Sequence, residues 1–530
     1  SFDSVANAGT ASAIGASGSD ASNLVFENGT LRYTGDTAST DRGFTLVNGG
    51  PSRTIQVDGT ANVTFGGVVT SPDDAGFTKT GSGTLTLANG ANDFIGAVTV
   101  SGGELSVGTL ADGGQASGIG AGSSDPASLT LVGGGSLQYT GATTSTGRGF
   151  TLGGGQGRID VAPAATTLTV GGNVVGGGAL YKDGDGTLVL SGTNTYTGGN
   201  TVTAGTLRAG SNQAFGGIAN GTGAGTMTVD SGATLDLDGH TVWVGGLYGA
   251  GNVALGTGTL QINNGGTFNG AISGTGGVTT TRGAQVMNGC GNSYTGATLI
   301  SGSLLSTDCL ADGGQASGVG ASGNDPANLA IVSGTLQYTG TDVDIDRGMT
   351  LTGSATIIVS NAATTLGIDG PLTGTGVLYK RGEGTLGLSS ANTNTNGTVV
   401  SEGVLRAQVQ NAFGTGTTGG NMTVGNNATA VLDLNGQDTA VRALYGGGAA
   451  GGVVLLGGAM MSFWTNGVGT ADFAGTIAEA GSIVKGGTYR QALSGCGSSY
   501  TGTTTINAGI LAVQCLDDGG AASSIGASRR

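Results

Sequence analysis

Short runs of alternating apolar and polar residues recur along the whole chain, separated by glycine or asparagine. Typical runs are GTLTLANG, AVTVSGGELSVG, TMTVDSGATLDLDG and GTLQINNGGTFNG. Alternation with a period of two places Leu, Val and Ile on one face of a strand and Thr, Ser or Asp on the other. Gly and Asn form the corners between strands because they tolerate the backbone conformations of tight turns. No run shows a helical period, so we predict an all-β chain of strands and turns.

A long repeat overlies this short rhythm. The sequence ADGGQASGIGAGSSDPASLTLVGGGSLQYTG follows Leu110, ADGGQASGVGASGNDPANLAIVSGTLQYTG follows Leu310, and DDGGAASSIGAS begins a third copy after Leu516. Self-similarity on this scale is typical of arrays in which each unit stacks on its neighbour. We therefore divide the chain into a partial repeat at 1–110, long repeats at 111–310 and 311–516, and the start of a further repeat at 517–530. All four are expected to belong to one continuous solenoid.

A shorter motif recurs about every 100 residues. It is clearest in GTLVLSGTNTYTGGNTVTAGTLRAG from Gly186, and weaker relatives start at Gly83, Asn288, Gly384 and Leu493. One position of the motif is occupied in turn by Phe94, Tyr196, Tyr294, Asn394 and Tyr500. We interpret it as an inward aromatic or a stack between successive coils, which is a structural role. So long a series of similar coils favours a parallel β-helix over a single β-sandwich.

The motif resembles the autotransporter-associated β-strand repeat of bacterial autotransporter passenger domains. The resemblance implies a right-handed parallel β-helix, a single elongated solenoid that is displayed on the bacterial cell surface or secreted. Right-handedness also follows from the general rule for parallel crossovers. The copy near Asn394 departs from the family pattern because it lacks the tyrosine and the paired glycine, and the family's translocator barrel is absent from the sequence. At about 4.8 Å per coil, the rod would be on the order of 110 Å long.

Composition restricts the surface and the partners of such a rod. Gly accounts for 114 of 530 residues and charged residues for 10%, so Thr, Ser, Asn and Gly must cover most of the surface. The net charge of −15 and the pI near 4.3 oppose binding to nucleic acids and to anionic membrane surfaces. No stretch approaches the roughly 20 apolar residues of a membrane helix, so we expect no direct membrane insertion by this segment.

The four cysteines follow the long repeat. Cys290 precedes Cys309 by 19 residues (309 − 290), and Cys496 precedes Cys515 by the same interval (515 − 496). In the preceding copy both positions change together, to Gly90 and Thr109. Joint presence and joint absence predict two disulfides, Cys290–Cys309 and Cys496–Cys515, in an oxidising compartment. A metal site would want further Cys or His nearby, and the sequence places none there.

Three arginines occupy matching contexts in the repeat. Arg42, Arg148 and Arg347 lie in TDRGF, TGRGF and IDRGM. They could form a surface ladder that faces a polyanion. The interpretation we favour is structural, in which each arginine covers a coil and pairs with a neighbouring carboxylate.

Other candidate sites are better explained as turns. His240 is the single histidine, and its counterpart in the later copy is Gln437, so a catalytic or zinc-binding role is disfavoured. The run from Lys182 to Gly186 has the Asp-x-Asp-Gly spacing of a calcium loop, but its counterparts keep the turn and lose the carboxylate pair. We therefore predict no catalytic residue, no metal ligand and no cofactor.

These observations predict a surface-exposed or secreted autotransporter passenger fragment that acts as an elongated adhesin or stalk. The resemblance implies host-cell or matrix attachment, autoaggregation or biofilm formation, all of which contribute to virulence. Partners would be a host-cell surface, a glycan, a matrix protein or a second copy of the chain. Two alternatives stay open: a passive structural spacer of a larger passenger, and a carbohydrate-active β-helix enzyme with clustered acids in a cleft.

Overall fold

A computed structural model describes residues 1–50, 52–217, 223–414 and 420–528. Within these ranges the regular structure is strands plus three single-turn 3-10 helices at Ala21–Asn23, Pro126–Ser128 and Pro326–Asn328, and no α-helix occurs. The all-β prediction is confirmed. No helix in the described part of the chain is long and apolar enough to cross a membrane. The chain forms two compact units, Ser1–Asn263 and Asn264–Arg530. Residues 529–530, at the end of the last predicted repeat, lie outside the described residues.

The first unit contains strands β1 to β28. In order they are Val25–Phe26, Gly29–Tyr33, Ala38–Thr40, Phe44–Leu46, Arg53–Val57, Asn62–Phe65, Val69–Thr70, Phe77–Thr80, Thr84–Leu87, Val98–Val100, Glu104–Val107, Leu129–Leu131, Gly135–Tyr139, Thr144–Thr146, Phe150–Leu152, Gln156–Val161, Thr167–Val170, Val174–Gly176, Ala179–Asp183, Thr187–Leu190, Asn200–Val202, Thr206–Ala209, Met227–Val229, Thr234–Asp236, Val242–Val244, Leu247–Gly249, Asn252–Ala254 and Leu260–Ile262.

The second unit contains strands β29 to β57. In order they are Gly265–Phe268, Ala271–Ser273, Val278–Thr280, Ala284–Met287, Thr298–Ser301, Leu304–Thr307, Leu329–Val332, Thr335–Tyr338, Val343–Ile345, Met349–Thr352, Ser354–Val359, Thr365–Ile368, Leu372–Thr373, Val377–Arg381, Thr385–Leu388, Thr398–Val400, Val404–Ala407, Met422–Val424, Val431–Asp433, Thr439–Val441, Leu444–Gly446, Val453–Leu455, Met460–Phe463, Thr470–Phe473, Thr476–Ala478, Ser482–Lys485, Arg490–Leu493, Thr504–Ile506 and Ile510–Val513.

Each unit is a parallel β-solenoid in which equivalent residues of successive coils stack in columns. One inward column of the first unit includes Val63, Leu85, Leu105, Leu137 and Ile159, each paired in parallel with the next and each buried. An aliphatic side chain in such a column is covered by its neighbours above and below. Burial of repeated Leu, Val and Ile therefore drives the stacking, as the two-residue alternation predicts.

The recurring aromatic position of the short motif lies inside the solenoid. Its occupants Phe94, Tyr196, Tyr294, Asn394 and Tyr500 are all buried. The tyrosine hydroxyls bond to a side chain four residues later; the Tyr294 Oη to Thr298 Oγ1 distance is 2.7 Å. Burial raises the pKa of Tyr294 to about 12. The inward, structural interpretation of this position is confirmed, since each hydroxyl is satisfied where water is excluded.

Candidate functional site

The long loops that begin the long repeats are the largest departure from regular coils. Leu105 pairs with Leu137, so this coil spans 32 residues (137 − 105), whereas the preceding coil from Leu85 to Leu105 spans 20 (105 − 85). The additional residues form a loop that contains the sequence ADGGQASGIGAGSSDPAS. Because loops on a rigid scaffold carry most binding functions, we treat these loops as the candidate functional surface.

A buried arginine from the following coil holds the loop in three of the copies. Arg347 donates from Nε to the Ala311 carbonyl oxygen at 2.7 Å. Its Nη2 contacts the carbonyl oxygens of Asp312, Gln315 and Gly320 at 3.1, 3.0 and 2.9 Å. Loop carbonyls have no strand partner, and the fan of guanidinium donors satisfies several of them at once.

The other two arginines do the same in their own copies. Arg42 bonds to the carbonyl oxygens of Ile14, Gly15 and Ser17, and Arg148 to those of Gln115 and Gly120. Arg42, Arg148 and Arg347 are 2%, 5% and 1% exposed. The surface ladder is therefore wrong, and so is the expected carboxylate pairing, since none of the three is in an ion pair found among the described residues. Loop carbonyls take the place of carboxylates, and burial lowers the pKa of Arg148 and Arg347.

Each loop also docks on the aromatic corner of its own short motif. The Ala121 N–H donates to the Phe94 carbonyl oxygen, and the Ala321 N–H to that of Tyr294, both at 2.7 Å. The preceding residue is glycine with a positive φ in every copy; at Gly320 an added Cβ would lie 2.6 Å from the Tyr294 ring. Only glycine permits this close approach of the loop backbone to the buried ring.

The cysteines lie at the base of the loop. The Cα atoms of Cys290 and Cys309 are 5.5 Å apart, and those of Cys496 and Cys515 are 5.4 Å apart. Both pairs are thus at disulfide distance, with the predicted pairing. An added Cβ on Gly90 would lie 3.5 Å from Thr109 Cβ, so that pair occupies the same place in the first copy.

In two of the copies a shallow groove opens between the loop and the aromatic corner. Beside the first loop it has a volume of about 620 Å³ and includes Ile95, Gly96, Ala97 and Gly113 in its lining. The last copy has a groove of about 480 Å³ at the equivalent place, lined by, among others, Thr501, Gly502, Thr503 and Gly519. Both volumes lie in the range of small-ligand sites. Their walls combine hydroxyls, glycines and small side chains with an isoleucine and with acidic residues, Asp74 in the first groove and Asp517 and Asp518 in the last.

Four buried lysines were missed by the sequence analysis. Lys182 stands in an inward column, where its Nζ donates to the carbonyl oxygens of Asp183, Gly184 and Ala204 at 2.8, 2.8 and 3.2 Å. Lys79, Lys380 and Lys485 repeat the arrangement. The signal was available: each lysine stands at an inward position of the two-residue alternation, directly before a glycine-containing turn.

The two sites interpreted as turns have structural partners. His240 Nδ1 lies 3.2 Å from Asn212 Oδ1. In the calcium-like run, Lys182 occupies the turn carbonyls, and Asp183 pairs with Arg158 at 2.6 Å. In the described ranges, no group of three or more His, Cys, Asp or Glu is arranged to hold a metal ion.

Three acidic side chains do gather near one another on the first unit. Glu104, Asp160 and Asp183 lie on β11, β16 and β19 of one sheet. Burial raises the pKa of Glu104, and the charge of Asp160 raises it further. Asp160 Oδ2 accepts a hydrogen bond from Gln138 at 3.0 Å. These are the acids on which the enzyme alternative would draw.

Comparison with known proteins fixes the family of the repeats. Five stretches match the passenger-associated-transport-repeat family, at residues 77–107, 180–209, 283–302, 378–407 and 483–513. The chain is also 54% identical, over 99% of its length, to the adhesin BmaC autotransporter of Brucella suis biovar 1 (strain 1330). The repeats and this similarity support an autotransporter passenger sequence. Such a sequence therefore belongs at the bacterial surface or in the secreted fraction, after export across the outer membrane.

The passenger sequence matches only part of that relative. It covers 15% of the length of the Brucella suis adhesin. No solved structure matches the chain. The five repeat matches coincide with the five short motifs found in the sequence, so the short motif is a passenger-associated-transport repeat.

Proposed function

We propose that this passenger acts as an adhesin, with its long loops and the adjacent grooves as the contact surface for a host cell or its matrix. The observation that carries the proposal is the recurrence of one loop, clamped in one way, at the start of each long repeat. The relative's name, an adhesin autotransporter, supports the same function. A passive spacer has no need of a repeatedly clamped loop beside a groove.

The geometry suits repeated weak contacts. Arg347, the docked glycine and the disulfide hold the second full loop at three places. A loop fixed before binding loses little conformational entropy when a ligand arrives. Several such loops on one chain raise the overall affinity for a surface that carries many copies of the ligand.

The test places a larger side chain beside the aromatic corner of three copies, in two of which a groove is present. Ala97, Ala297 and Thr503 are exposed, equivalent positions beside the aromatic corner. Gln at all three should lower adhesion of bacteria that display the passenger at least tenfold, and each single change should lower it only a few-fold. Gln at the outward, exposed residues Ser39 and Ser145 is the matched control.

Two other outcomes would replace the proposal. Unchanged adhesion in the triple variant would favour the spacer. Turnover of a polysaccharide, abolished by Glu104→Gln, would favour the carbohydrate-active enzyme, because this acid has the raised pKa that a general acid requires.

A further inference from the structure

One turn of the second unit is longer than its counterpart and carries exposed apolar side chains. Residues 464–469, here named the aromatic turn, connect Met460–Phe463 to Thr470–Phe473. In the preceding long repeat, only Asn263 and Asn264 stand between the equivalent strands. The side chains of Trp464 and Val468 are 43% and 101% exposed. A lengthened turn that exposes Trp464 and Val468 leaves apolar surface in contact with water, which is unfavourable unless a ligand covers it.

The aromatic turn is held in one conformation by the turn that stacks on it. The Trp464 ring lies against Gly486, where an added Cβ would be 2.7 Å from the indole. At the other end, the Tyr489 ring lies against Gly469. The Tyr489 N–H donates to the Thr465 carbonyl oxygen at 3.1 Å. Two rings thus flank a turn that is ordered before any ligand binds.

Polar groups on the turn are fixed as well. The Thr488 N–H donates to Asn466 Oδ1 at 3.1 Å, and the Gly467 N–H donates to Thr488 Oγ1 at 2.9 Å. The Asn466 side-chain amide keeps its own two donors, and Asn466 is exposed. The turn therefore offers hydrogen-bond donors beside its rings.

Two arginines lie in the coils that neighbour the aromatic turn, Arg442 beside Thr465 and Arg490 on the strand that pairs with Thr470. The hydroxyls of Tyr445 and Tyr489 lie 3.2 Å apart. Burial and the neighbouring Tyr489 hydroxyl raise the pKa of Tyr445 to about 12. The positive charge of Arg442 lowers this pKa and so partly offsets the rise. Arg442 and Arg490 are exposed, and neither belongs to an ion pair found among the described residues. On a chain of net charge −15, two such arginines near the exposed Trp464 and the half-buried Tyr445 and Tyr489 favour an anionic ligand.

We propose that the aromatic turn, with Tyr445, Tyr489, Arg442 and Arg490, binds an anionic carbohydrate that carries carboxylate or sulfate groups. The apolar face of a sugar ring packs on the exposed indole, as aromatic rings accept C–H groups on their faces. The guanidinium groups pair with the acidic substituent through charge-assisted hydrogen bonds. The inference deepens the proposed adhesin function by naming a ligand class, and it rests on that function for its biological setting.

Binding of the purified chain to immobilised heparin and to hyaluronan, with dextran as the neutral reference, tests this site. The chain should bind at least one of the two anionic polymers and not dextran. Trp464→Ala should raise the Kd at least tenfold. The double variant Arg442→Gln, Arg490→Gln should weaken binding and flatten its salt dependence, because two ionic contacts are lost.

Matched controls separate the site from general surface effects. Tyr248→Ala removes the tyrosine equivalent to Tyr445 in a coil that lacks the long turn, and it should leave binding unchanged. Replacement of residues 464–469 by Asn-Asn, the short turn of the other repeat, should abolish binding while the circular dichroism spectrum keeps its β-sheet form.

Three results would overturn the inference. The first is equal binding of the acidic polymers by wild type and Trp464→Ala, and the second is equal binding to dextran and to the acidic polymers. The third is a shortened variant that loses binding to a matrix protein but keeps binding to the acidic polymers. Adhesion that persists in the shortened variant would leave the adhesin function standing and remove only this site. If the groove variants lose adhesion but still bind the polysaccharide, the grooves are needed for adhesion and the polysaccharide site is separate from them.

Discussion

Single residues in this solenoid satisfy backbone groups that strands leave unpaired. Lys182 shows the effect clearly, because an ammonium stands in a column of Ile and Val yet meets three carbonyl oxygens. Burial lowers the pKa of Lys182 to about 8, and nearby carboxylates offset this only in part. Burial lowers the pKa of Lys79 and of Lys380 to about 8 in the same way.

These lysines predict a dependence of stability on pH. The folded pKa of about 8 lies below the ordinary value of 10.5, so the unfolded chain binds more protons between these two values. Lysine titration should therefore raise the free energy of unfolding from pH 8 to about pH 10, where tyrosine ionisation begins to oppose it. Urea unfolding at several pH values measures the rise. The triple variant Lys79→Met, Lys182→Met, Lys380→Met should lose it, and an unaltered slope would contradict the prediction.

Replacement of one arginine should free one loop. Arg347→Met removes the guanidinium donors of four loop carbonyls and should cost about 1–3 kcal/mol of local stability. The Asp312 and Gly320 carbonyls keep the Gln315 N–H and the Ser317 hydroxyl as donors. Limited proteolysis should then cut within residues 311–324 and spare the loop held by Arg148. Exposed Arg442→Met is the control, and equal protection of both loops in Arg347→Met would refute the clamp.

At the scale of elements, a coil and its loop form one unit joined at fixed places. The Cys290–Cys309 pair closes the base of one loop, and Gly90 and Thr109 occupy the same place without a bond. The Gly318 N–H donates to the Cys309 carbonyl oxygen at 2.8 Å, and the Gly118 N–H donates to that of Thr109 at 3.0 Å. The two loops therefore share one backbone arrangement, which does not depend on the disulfide.

A third disulfide should form without distortion in the double variant Gly90→Cys, Thr109→Cys. The Cβ separation of 3.5 Å is at the lower end of the range that disulfides adopt, about 3.5–4.5 Å. The bond should stabilise the first loop by up to about 3 kcal/mol. Peptide mapping without reductant should find the two substituted positions cross-linked to each other, and hydrogen exchange should slow in that loop. Free thiols after oxidation, or pairing with one of the four native cysteines, would contradict the prediction.

The strands, the repeats and the cysteine pairs could be predicted because each is a local sequence pattern that recurs along the chain. Period-two alternation fixes which face of β9 or β20 is buried, and the joint change to Gly90 and Thr109 identifies the cysteine partners. The arginines could not be placed, because their partners are carbonyls on the preceding coil that no side-chain pattern reveals. The aromatic turn could not be predicted for a similar reason. The exposure of Trp464 and the contact of its ring with Gly486 are known only from the structure.

At the scale of the whole chain, charge governs how copies meet. With a net charge of −15, two chains repel one another once they approach to within a few Debye lengths, and short-range contacts must overcome this repulsion. Any contact between copies must then be short-range and formed by the Thr, Ser and Asn surface.

Self-association should accordingly increase with salt. Raising NaCl from about 20 mM to about 500 mM shortens the Debye length several-fold and screens the repulsion. Sedimentation velocity should show more dimer at high salt, or monomer throughout if no contact exists between copies. Association that weakens with added salt would show instead that opposite charges join the copies.

The arginine clamp also has a consequence for the order of assembly. Arg347 grips carbonyls that lie 27 to 36 positions earlier in the chain, so loop and clamp cannot leave an export channel at the same moment. The segment that emerges first, the loop or Arg347, stays unpaired until the other segment emerges. The contacts between them then form and complete the coil. Each closure would oppose backward movement of the exported chain, so we expect folding of the loops to contribute a direction to translocation.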